Sequence, residues 1–354
     1  MIKESPVRAQ RLHIGAEIYL HFATLHINLK HMNKIAVFTS GGDAPGMNAC
    51  IRAVVRTALH MGKEVVGIQR GYQGMVDGSF MAMDSHSVSN IIQLGGTILR
   101  SARCPDFMTK EGRRKAYENL QKAGIDGIVG IGGNGTFTGA KVFTAEYPDI
   151  KMVGCPGTID NDLHGTDYTI GYDTAINTAM NAIDNIKDTA NAHDRLFFVE
   201  VMGRDAGFIA LPTSIATGAE AALVPESKTD VQKLIETLKE CVTKKKNSSI
   251  VVVAEGDDTG GAFKVAEEVQ KTFHDYEIKV SVLGHLLRGG RPTCMERVRA
   301  SRMGVDAVKA LLEGDSGVMI GIINHQLTRT SFSDAINKRH ELNPTLLELV
   351  GILM

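Results

Sequence analysis

The sequence predicts an α/β fold of two doubly wound, three-layer lobes with mostly parallel sheets. Short apolar runs alternate with amphipathic helical patterns from residue 34 to residue 323. The runs are rich in Val and Ile and lack polar alternation, which is typical of strands buried on both faces of a parallel sheet. The length of 354 residues fits two such lobes better than one.

The elements follow in chain order. Apolar side chains in residues 51–59 recur at the spacing of one helix face, and a second helix is predicted over residues 173–191. An eight-strand barrel is the alternative, but its strands would be spaced more evenly, and glycine-rich turns favour open sheets. The predicted strands are residues 35–39, 65–68, 127–131, 152–155, 196–201, 250–254, 280–283 and 318–323.

Composition and charge exclude several classes of protein. The chain has 39 Lys plus Arg and 40 Asp plus Glu, a formal net charge of −1, which argues against binding to nucleic acid or lipid by bulk charge. No apolar stretch reaches the length of a membrane span. The five cysteines form no CxxC pair, which excludes a zinc ribbon or a redox motif, and five scattered thiols suit a reducing cytoplasm.

Residues 1–31 are predicted to be a leader outside the fold. They mix Lys, Arg, Glu and His into a short apolar run, whereas a signal peptide needs an uninterrupted apolar core and a cleavage site. Met32, directly before the first strand, is the expected start of the folded part. A targeting presequence is the alternative.

Two strands end in glycine-rich turns that lead into helices. TSGGDAPG follows the first strand (residues 39–46), and IGGNGT follows the third (residues 131–136). Glycine lets the backbone approach a phosphate, and the next helix offers free N–H groups. Neither turn matches the Walker motif. Each turn alone could be a tight connection, but together they indicate a phosphorylated ligand.

An acidic loop follows another strand. CPGTIDND (residues 155–162) places Thr158, Asp160 and Asp162 at the edge of the sheet where ligands bind. Such a loop could deprotonate a hydroxyl, hold a sugar or arrange a metal. The alternative is an Asx-turn that caps the helix that follows.

Cationic side chains follow two further strands. Arg204 lies in VMGRDAG, and His285 and Arg288 lie in GHLLRGG. A guanidinium beside glycine at a strand end could bind phosphate, although a single Arg is usually a surface charge. The basic tract KKKN (residues 244–247) is interpreted as a solvated turn, with phosphate binding as the alternative.

In order and spacing, TSGGDAPGMN, GGNGT, PGTIDND, MGRDAG and LGHLLRGG resemble the bacterial ATP-dependent 6-phosphofructokinases, the phosphofructokinase A family. The resemblance covers about residues 32–338. It implies a glycolytic homotetramer, with Mg²⁺ as cofactor and no nucleic-acid or membrane partner, that moves the γ-phosphoryl group of ATP to the 1-hydroxyl of fructose 6-phosphate. The products would be fructose 1,6-bisphosphate and ADP.

The resemblance also implies a division of the chain, with the active site in the cleft between two lobes. The ATP-binding lobe would comprise residues 32–171 plus about 287–337. The lobe that binds fructose 6-phosphate would comprise about residues 172–286 plus 338–354.

Catalytic roles are implied residue by residue. Asp160 would take the proton from the sugar hydroxyl, and Thr158 and Asp162 would orient the sugar and the transferred group. Arg204 and Arg103 would stabilise charge on the moving phosphoryl group.

Binding positions are implied in the same way, in three sets. The ATP positions are Gly42, Arg103, Cys104, Gly133, Asn134, Gly135 and Thr136. The sugar-phosphate positions are Thr158, Ile159, Asp160, Asp162, Met202, Gly203, Arg204, Glu255, His285 and Arg288. Positions that would reach into the site of a neighbouring subunit are Arg195 and Lys279.

A nucleotide effector pocket at the subunit boundary is implied but altered. Ser79 stands where the family usually has Arg, and Lys187 replaces another Arg. Allosteric regulation by ADP or phosphoenolpyruvate is therefore left open. The matching positions are Arg52, Arg56, Lys187, Glu220, Lys244 and Lys246.

Two glycines favour ATP as the phosphoryl donor. The pyrophosphate-dependent members of the family carry GGDD and PKTIDND, where this chain has Gly135 and Gly157. Glycine is expected to leave room for the α-phosphate, which Asp would fill and repel. Pyrophosphate-dependent transfer is the enzymatic alternative.

Asn134 departs from the GGDG pattern of the family, whose aspartate binds magnesium. The amide keeps an oxygen ligand but loses the charge, so weaker metal affinity is expected. A non-catalytic, nucleotide-binding partner subunit is the alternative that this change suggests. Intact Asp160, Asp162 and Arg204 argue against it.

Overall fold

A computed structural model describes residues 32–246 and 249–353, so the leader predicted over residues 1–31 lies outside the described residues. Strands and helices alternate along the described chain, which confirms the predicted α/β class. The strands are β1 (Lys34–Thr39), β2 (Glu64–Ile68), β3 (Phe80–Met83), β4 (Gly127–Gly132), β5 (Lys151–Thr158), β6 (Ile170–Gly171), β7 (Arg195–Val201), β8 (Ala221–Leu223), β9 (Ser249–Ala254), β10 (Glu277–Val282), β11 (Val318–Ile323) and β12 (Gln326–Ser331).

Helices flank these strands. Two short 3₁₀ helices, Asp106–Met108 and Gly284–Arg288, add to the α-helices. The α-helices are α1 (Met47–His60), α2 (Tyr72–Asp77), α3 (Lys110–Lys122), α4 (Asn134–Glu146), α5 (Tyr172–Asn191), α6 (Ala210–Thr217), α7 (Val231–Thr243), α8 (Ala262–Gln270), α9 (Cys294–Glu313), α10 (Phe332–Asn337) and α11 (Pro344–Leu353).

The strands form two sheets, one for each lobe. The larger sheet has the order β12-β11-β5-β4-β1-β2-β3, with β6 paired to the end of β5, and the smaller has the order β10-β7-β9-β8. Neighbouring strands are parallel except at β3 and β12, which pair antiparallel with β2 and β11. Parallel neighbours need crossover helices, so both sheets are doubly wound as predicted.

Strand β1 shows why its sequence lacks polar alternation. Ile35 and Val37 point into a core shared with α1 and α9, and Ala36 and Phe38 point into a core shared with α2, α3 and α4. Both faces of the strand are therefore buried. Strand β9 of the smaller sheet is buried on both faces in the same way.

Helices α1 and α9 pack closely over one face of the larger sheet. A Cβ atom at Gly304 of α9 would lie 2.8 Å from the carbonyl oxygen of Cys50 and 2.9 Å from Cβ of Ala53. Only glycine allows this close approach of α9 to α1, so Gly304 sets the distance between the two helices.

All eight predicted strands are present; β11 has the predicted bounds, and the other seven differ at one end or both. Strand β5 continues to Thr158 because Gly157 and Thr158 pair with β6. Strand β10 begins at Glu277 and ends before Leu283, since Leu283 is the N-cap of the 3₁₀ helix Gly284–Arg288. The helix predicted over residues 173–191 begins one residue earlier, at Tyr172. Strands not predicted are the short or edge strands β3, β6, β8 and β12.

No helix in the described ranges is long and apolar enough to cross a membrane.

Candidate active site

A cleft of about 1050 Å³ lies where β1, β4 and β5 of the larger sheet end, facing the loop after β7 and the 3₁₀ helix Gly284–Arg288. Parallel strands bring their carboxyl ends to one edge of a sheet, so residues far apart in sequence meet here. Predicted site residues on its walls are Gly42, Arg103, Cys104, Gly133, Asn134, Gly135, Thr136, Thr158, Asp162, Arg204, His285 and Arg288.

Asp160 is a buried carboxylate beside this cleft, with its side chain 1% exposed. Arg204 Nε lies 3.2 Å from Asp160 Oδ2 and forms an ion pair with it. This contact lacks hydrogen-bond geometry, and neither oxygen of the carboxylate has a hydrogen-bond partner among the described residues. Burial, and then the charge of Asp162, raise the pKa of Asp160, while Arg204 and Arg288 oppose the rise. The residue is thus a buried proton acceptor that is paired with one cation and makes no hydrogen bond through its carboxylate oxygens among the described residues.

Local hydrogen bonds fix the acidic loop. Asp160 N donates to Thr158 Oγ1 at 3.2 Å, and Thr169 Oγ1 donates to the Thr158 carbonyl at 2.6 Å. Asn161 adopts the left-handed conformation (φ 55°), and its side chain accepts from Thr169 N at 2.7 Å. The alternative of a helix cap is wrong, because the loop leads to β6 and α5 begins after Gly171 without a side-chain cap.

Asp162 pairs with the residue that departs from the family pattern. Asn134 Nδ2 donates to Asp162 Oδ2 at 3.1 Å, which leaves Asn134 Oδ1 buried without a hydrogen-bond partner in residues 32–246 and 249–353. Burial raises the pKa of Asp162, and its own backbone N–H and Arg204 limit the rise. No group of three or more His, Cys, Asp or Glu side chains in the described chain is arranged for a metal. Asn134 Oδ1 is therefore an oxygen available to a cation.

The start of α4 forms the opposite wall of the cleft. The helix follows Gly133 without a side-chain cap, and the Thr136 N–H donates to the Gly133 carbonyl at 3.0 Å, so the N–H groups of Asn134 and Gly135 are the ones available to an anion. Thr136 Oγ1 is a buried hydroxyl without a hydrogen-bond partner within the described ranges. A Cβ atom at Gly135 would meet nothing within 4 Å, which agrees with the space expected there.

Gly157 does not leave free space, and that expectation is wrong. A Cβ atom there would lie 2.9 Å from Met47 Cε, 3.0 Å from Ile131 Cγ2 and 3.1 Å from the backbone nitrogen of Gly132. The position points into packed protein, so glycine is needed at this point for packing between β4, β5 and α1.

Arg288 spans the cleft. A Cβ atom at Gly42 would lie 2.5 Å from Arg288 Nη1, so the guanidinium lies directly over this glycine. An expected sugar-phosphate residue thus contacts an expected ATP-phosphate residue, which concentrates positive charge where two phosphorylated ligands would meet. Arg103 and His285 are exposed on the same cleft.

The loop after β7 is held by Glu255. Its Oε1 accepts from Gly203 N at 3.2 Å and from Arg204 N at 2.7 Å, and Arg204 has a positive φ of 52°. These contacts aim the Arg204 side chain at Asp160. Met202 is half-buried beside this loop, whereas the Ile159 side chain is fully buried in the core and could meet a ligand only through its backbone.

Arg195 and Lys279 lie apart from the cleft. They stand on neighbouring strands β7 and β10, where Glu277 binds Arg195 Nε at 2.9 Å and Lys279 Nζ at 2.6 Å. Both cations lower the pKa of Glu277. The pair forms a charged surface patch on the smaller lobe.

The expected effector residues lie in two groups. Arg52 and Arg56 are on α1 of the larger lobe. In the smaller lobe, Lys187 Nζ donates to the Thr217 carbonyl at 2.6 Å, Lys246 lies 3.4 Å from Glu220, and Lys244 pairs with Glu240 on the surface.

His340 was not among the site residues predicted from the sequence, yet it contacts the acidic loop. Its Nδ1 lies 3.1 Å from the carbonyl oxygen of Asn161, and burial lowers the pKa of its imidazole. His340 follows the last residue of the resemblance, and no spacing in the sequence links it to the acidic loop.

Comparison with known proteins shows the family to which this chain is similar. Residues 34–311 match the sequence model of the family described as "Phosphofructokinase". The ATP-dependent 6-phosphofructokinase of Cytophaga hutchinsonii is 55% identical over 318 residues, 90% of this chain and 97% of that protein. ATP-dependent 6-phosphofructokinase 2 of Bacteroides thetaiotaomicron is 54% identical over 319 residues, again 90% and 97% of the two chains.

Solved structures agree with the sequence comparison. The phosphofructokinase of Saccharomyces cerevisiae is similar, with a TM-score of 0.82 at 37% identity. The match covers 86% of this chain and 45% of the yeast chain, so this chain spans less than half the length of that protein.

Proposed function

The chain belongs to the phosphofructokinase family, and we propose that it is an ATP-dependent 6-phosphofructokinase, a phosphotransferase with an alcohol group as acceptor. It converts fructose 6-phosphate and ATP into fructose 1,6-bisphosphate and ADP. The observation that carries the proposal is the buried carboxylate of Asp160, paired with Arg204 at 3.2 Å. It lies beside a cleft in which the N-terminus of α4 offers free N–H groups to a phosphate.

In the proposed mechanism Asp160 removes the proton from the 1-hydroxyl of the sugar as its oxygen attacks the γ-phosphorus. A buried base with a raised pKa accepts a proton more readily than an exposed aspartate. Arg204, aimed by Glu255, stabilises charge on the transferred group, with Arg103 exposed on the same cleft. Phosphoryl transfer needs little beyond such positioning and positive charge.

The ATP phosphates are proposed to bind at the start of α4. The N–H groups of Asn134 and Gly135 and the hydroxyl of Thr136 are donors without a partner among the described residues, and the open space at Gly135 accepts the α-phosphate. Arg288 over Gly42 adds charge where donor and sugar phosphate approach. Pyrophosphate would leave the space at Gly135 empty, so these contacts favour ATP.

Asn134 Oδ1 fits a magnesium ion, because it is a buried oxygen with no hydrogen-bond partner among the described residues. When bound, Mg²⁺ supplies positive charge that offsets the charge of the ATP phosphates. Asn134 fixes Asp162 through its amide nitrogen at the same time. We propose that the amide therefore orients the carboxylate loop and the nucleotide together.

The lobe boundaries proposed are those predicted from the sequence, with an ATP-binding and a sugar-binding lobe. We further propose a homotetramer in which Arg195 and Lys279 reach a neighbouring site and the two groups of effector residues meet across chains. Light scattering tests this proposal, since a mass near that of one chain would contradict it. A cytoplasmic location is proposed because scattered thiols suit a reducing compartment.

Product analysis tests the proposed reaction. Purified protein is incubated with ATP, Mg²⁺ and fructose 6-phosphate, and ³¹P NMR follows the products. One fructose 1,6-bisphosphate for each ADP is expected. ATP hydrolysis without a sugar product, or phosphate on another hydroxyl, would contradict the proposal, and no turnover would favour a non-catalytic partner subunit.

A further inference from the structure

His340 contacts both loops that carry the proposed catalytic pair. Its Nδ1 lies 3.1 Å from the carbonyl oxygen of Asn161, which stands between Asp160 and Asp162. Its ring lies against the ring of Phe208, with centroids 4.6 Å apart. Phe208 is buried four residues after Arg204. One half-buried side chain from the segment between α10 and α11 thus touches the loops of Asp160 and of Arg204.

The direction of the hydrogen bond follows from chemistry. A carbonyl oxygen only accepts, so His340 Nδ1 carries the hydrogen and donates it. Asn161 has a φ of 55°, and its side chain is already bound to Thr169 N and to the carbonyl of Asp167. The backbone carbonyl of Asn161 is the group that faces His340. Its direction sets the orientation of the peptide between Asn161 and Asp162.

That peptide leads directly to Asp162. The peptide unit is planar, so fixing the carbonyl of Asn161 also fixes the N–H of Asp162. This N–H lowers the pKa of the Asp162 carboxylate, against the larger effect of burial, and the carboxylate accepts from Asn134 at 3.1 Å. A chain of contacts consequently runs from His340 through one peptide to the carboxylate at the cleft.

We propose that His340 is a positioning residue that sets the acidic loop against the loop of Arg204. The inference rests on the proposed function, because the pair that it aligns is Asp160 and Arg204. Its donation orients the peptide between Asn161 and Asp162, and its ring packs against Phe208, which follows Arg204 in the smaller lobe. Small misplacements of reacting groups lower turnover more than substrate binding, so kcat responds and KM does not.

Three substitutions separate the two contacts. His340→Asn keeps a donor near the Nδ1 position but removes the ring, His340→Phe keeps a ring but removes the donor, and His340→Ala removes both. Glu341→Ala, at the adjacent exposed residue, is the matched control. We expect kcat to fall about tenfold in the Ala and Phe variants with KM values within about twofold, and to recover to within about threefold in the Asn variant.

Hydrogen–deuterium exchange of residues 158–169 gives a readout that does not depend on activity. Faster exchange is expected in the Ala and Phe variants, and exchange near that of the wild type in the Asn variant and in the control. Wild-type kcat in the Phe or Ala variant, an equal loss in the Asn variant, or a rise in KM at constant kcat would overturn the positioning role. An inactive wild type would reject the proposed function, and the exchange data alone would then decide whether His340 orders the loop.

Discussion

At the scale of single residues, burial and charge compete at Asp160. Desolvation raises its pKa because the neutral acid is favoured away from water, and the charge of Asp162 adds to this effect. Arg204 and Arg288 favour the ionised form and limit the rise. The balance leaves a carboxyl group beside two cations with a pKa above its ordinary value, which accepts a proton more readily than an exposed aspartate, as a general base requires.

Replacing Asp160 tests this balance directly. We expect Asp160→Ser to lower kcat by about 10²–10⁴-fold with little change in the KM for fructose 6-phosphate, because proton removal acts in the transition state. Asp149→Ser, an exposed aspartate between α4 and β5, is the control. The wild-type rate should fall at acid pH, with a midpoint above 3.8, the ordinary pKa of aspartate, because only the ionised form of Asp160 accepts the proton. A variant within about tenfold of wild type would refute the assignment of the base.

Asn134 offers a second test at this scale. Asn134→Asp places a carboxylate beside Asp162 in place of the amide that donates to it at 3.1 Å. A carboxylate is a better Mg²⁺ ligand than an amide, so the variant should reach its half-maximal rate at a lower concentration of free Mg²⁺ at saturating ATP. Superimposable Mg²⁺ titrations of the two proteins would mean that Asn134 does not contact the metal.

Single residues also show where sequence reasoning reached its limit. The motifs identified the residues that meet at the cleft, since glycine turns and polar residues after strands have a physical meaning in sequence. The role of Gly157 could not be derived, because its neighbours Met47 and Ile131 come from other elements. His340 is beyond prediction for the same reason, as it reaches Asn161 only through the fold.

At the scale of elements, helix N-termini contribute to the proposed binding of phosphate and to the packing of the core. The first turn of α4 faces the cleft, and the first turns of α5 and α9 meet each other in the interior. Glu296 of α9 accepts from Thr174 N and Thr174 Oγ1 of α5, each at 3.2 Å. The N-terminus of α4 is thus free for a ligand, whereas the N-termini of α5 and α9 are joined by the buried carboxyl group of Glu296.

The open space at the start of α4 predicts a change in donor use on substitution. Gly135→Asp fits without a clash, because a Cβ atom there meets nothing within 4 Å. Its charge should repel the α-phosphate and lower kcat/KM for ATP by about 10–100-fold, with fructose 6-phosphate binding unchanged. Gly135→Asn, of the same shape but neutral, is the control. Equal losses in both variants would assign the effect to shape and not to charge.

Glu296 links the junction of α5 and α9 to pH. Burial raises the pKa of Glu296 from 4.5 to about 7, so the folded state keeps a proton that the unfolded chain releases. The free energy of unfolding should therefore fall as pH rises from about 4.5 to about 7, by about 3 kcal/mol from this group. Glu296→Gln does not titrate, so its stability relative to wild type should increase between pH 5 and pH 8 in urea unfolding. A difference independent of pH would contradict this.

Elements with strong patterns were predictable, and others were not. Buried parallel strands stand out as Val- and Ile-rich runs because both of their faces lie in the core. Strand β12 has one apolar residue, Leu327, and is largely exposed. Strand β6 has two residues, and its pairing with β5 arises only in the fold. Such strands carry little signal in the sequence, since tertiary contacts create them.

At the scale of the whole molecule, two lobes bring together the residues proposed to bind the phosphoryl donor and those proposed to bind the sugar. The glycine turns and the acidic loop belong to the larger sheet, whereas Arg204 follows a strand of the smaller one. The cleft exists because β1, β4 and β5 end on the side that faces the second lobe. The sequence predicted two such lobes from length and alternation, but the approach of Arg288 to Gly42 across the cleft required the structure.

A coupled assay on fructose 6-phosphate, with ATP and pyrophosphate run side by side at saturating Mg²⁺, tests the central claim most directly. Initial rates of fructose 1,6-bisphosphate formation are measured with each donor over the same concentration range. We expect turnover with ATP and little or none with pyrophosphate, because the first turn of α4 and the space at Gly135 accommodate an α-phosphate that pyrophosphate lacks. Equal rates with both donors, or turnover with pyrophosphate alone, would contradict the assignment of ATP as the donor.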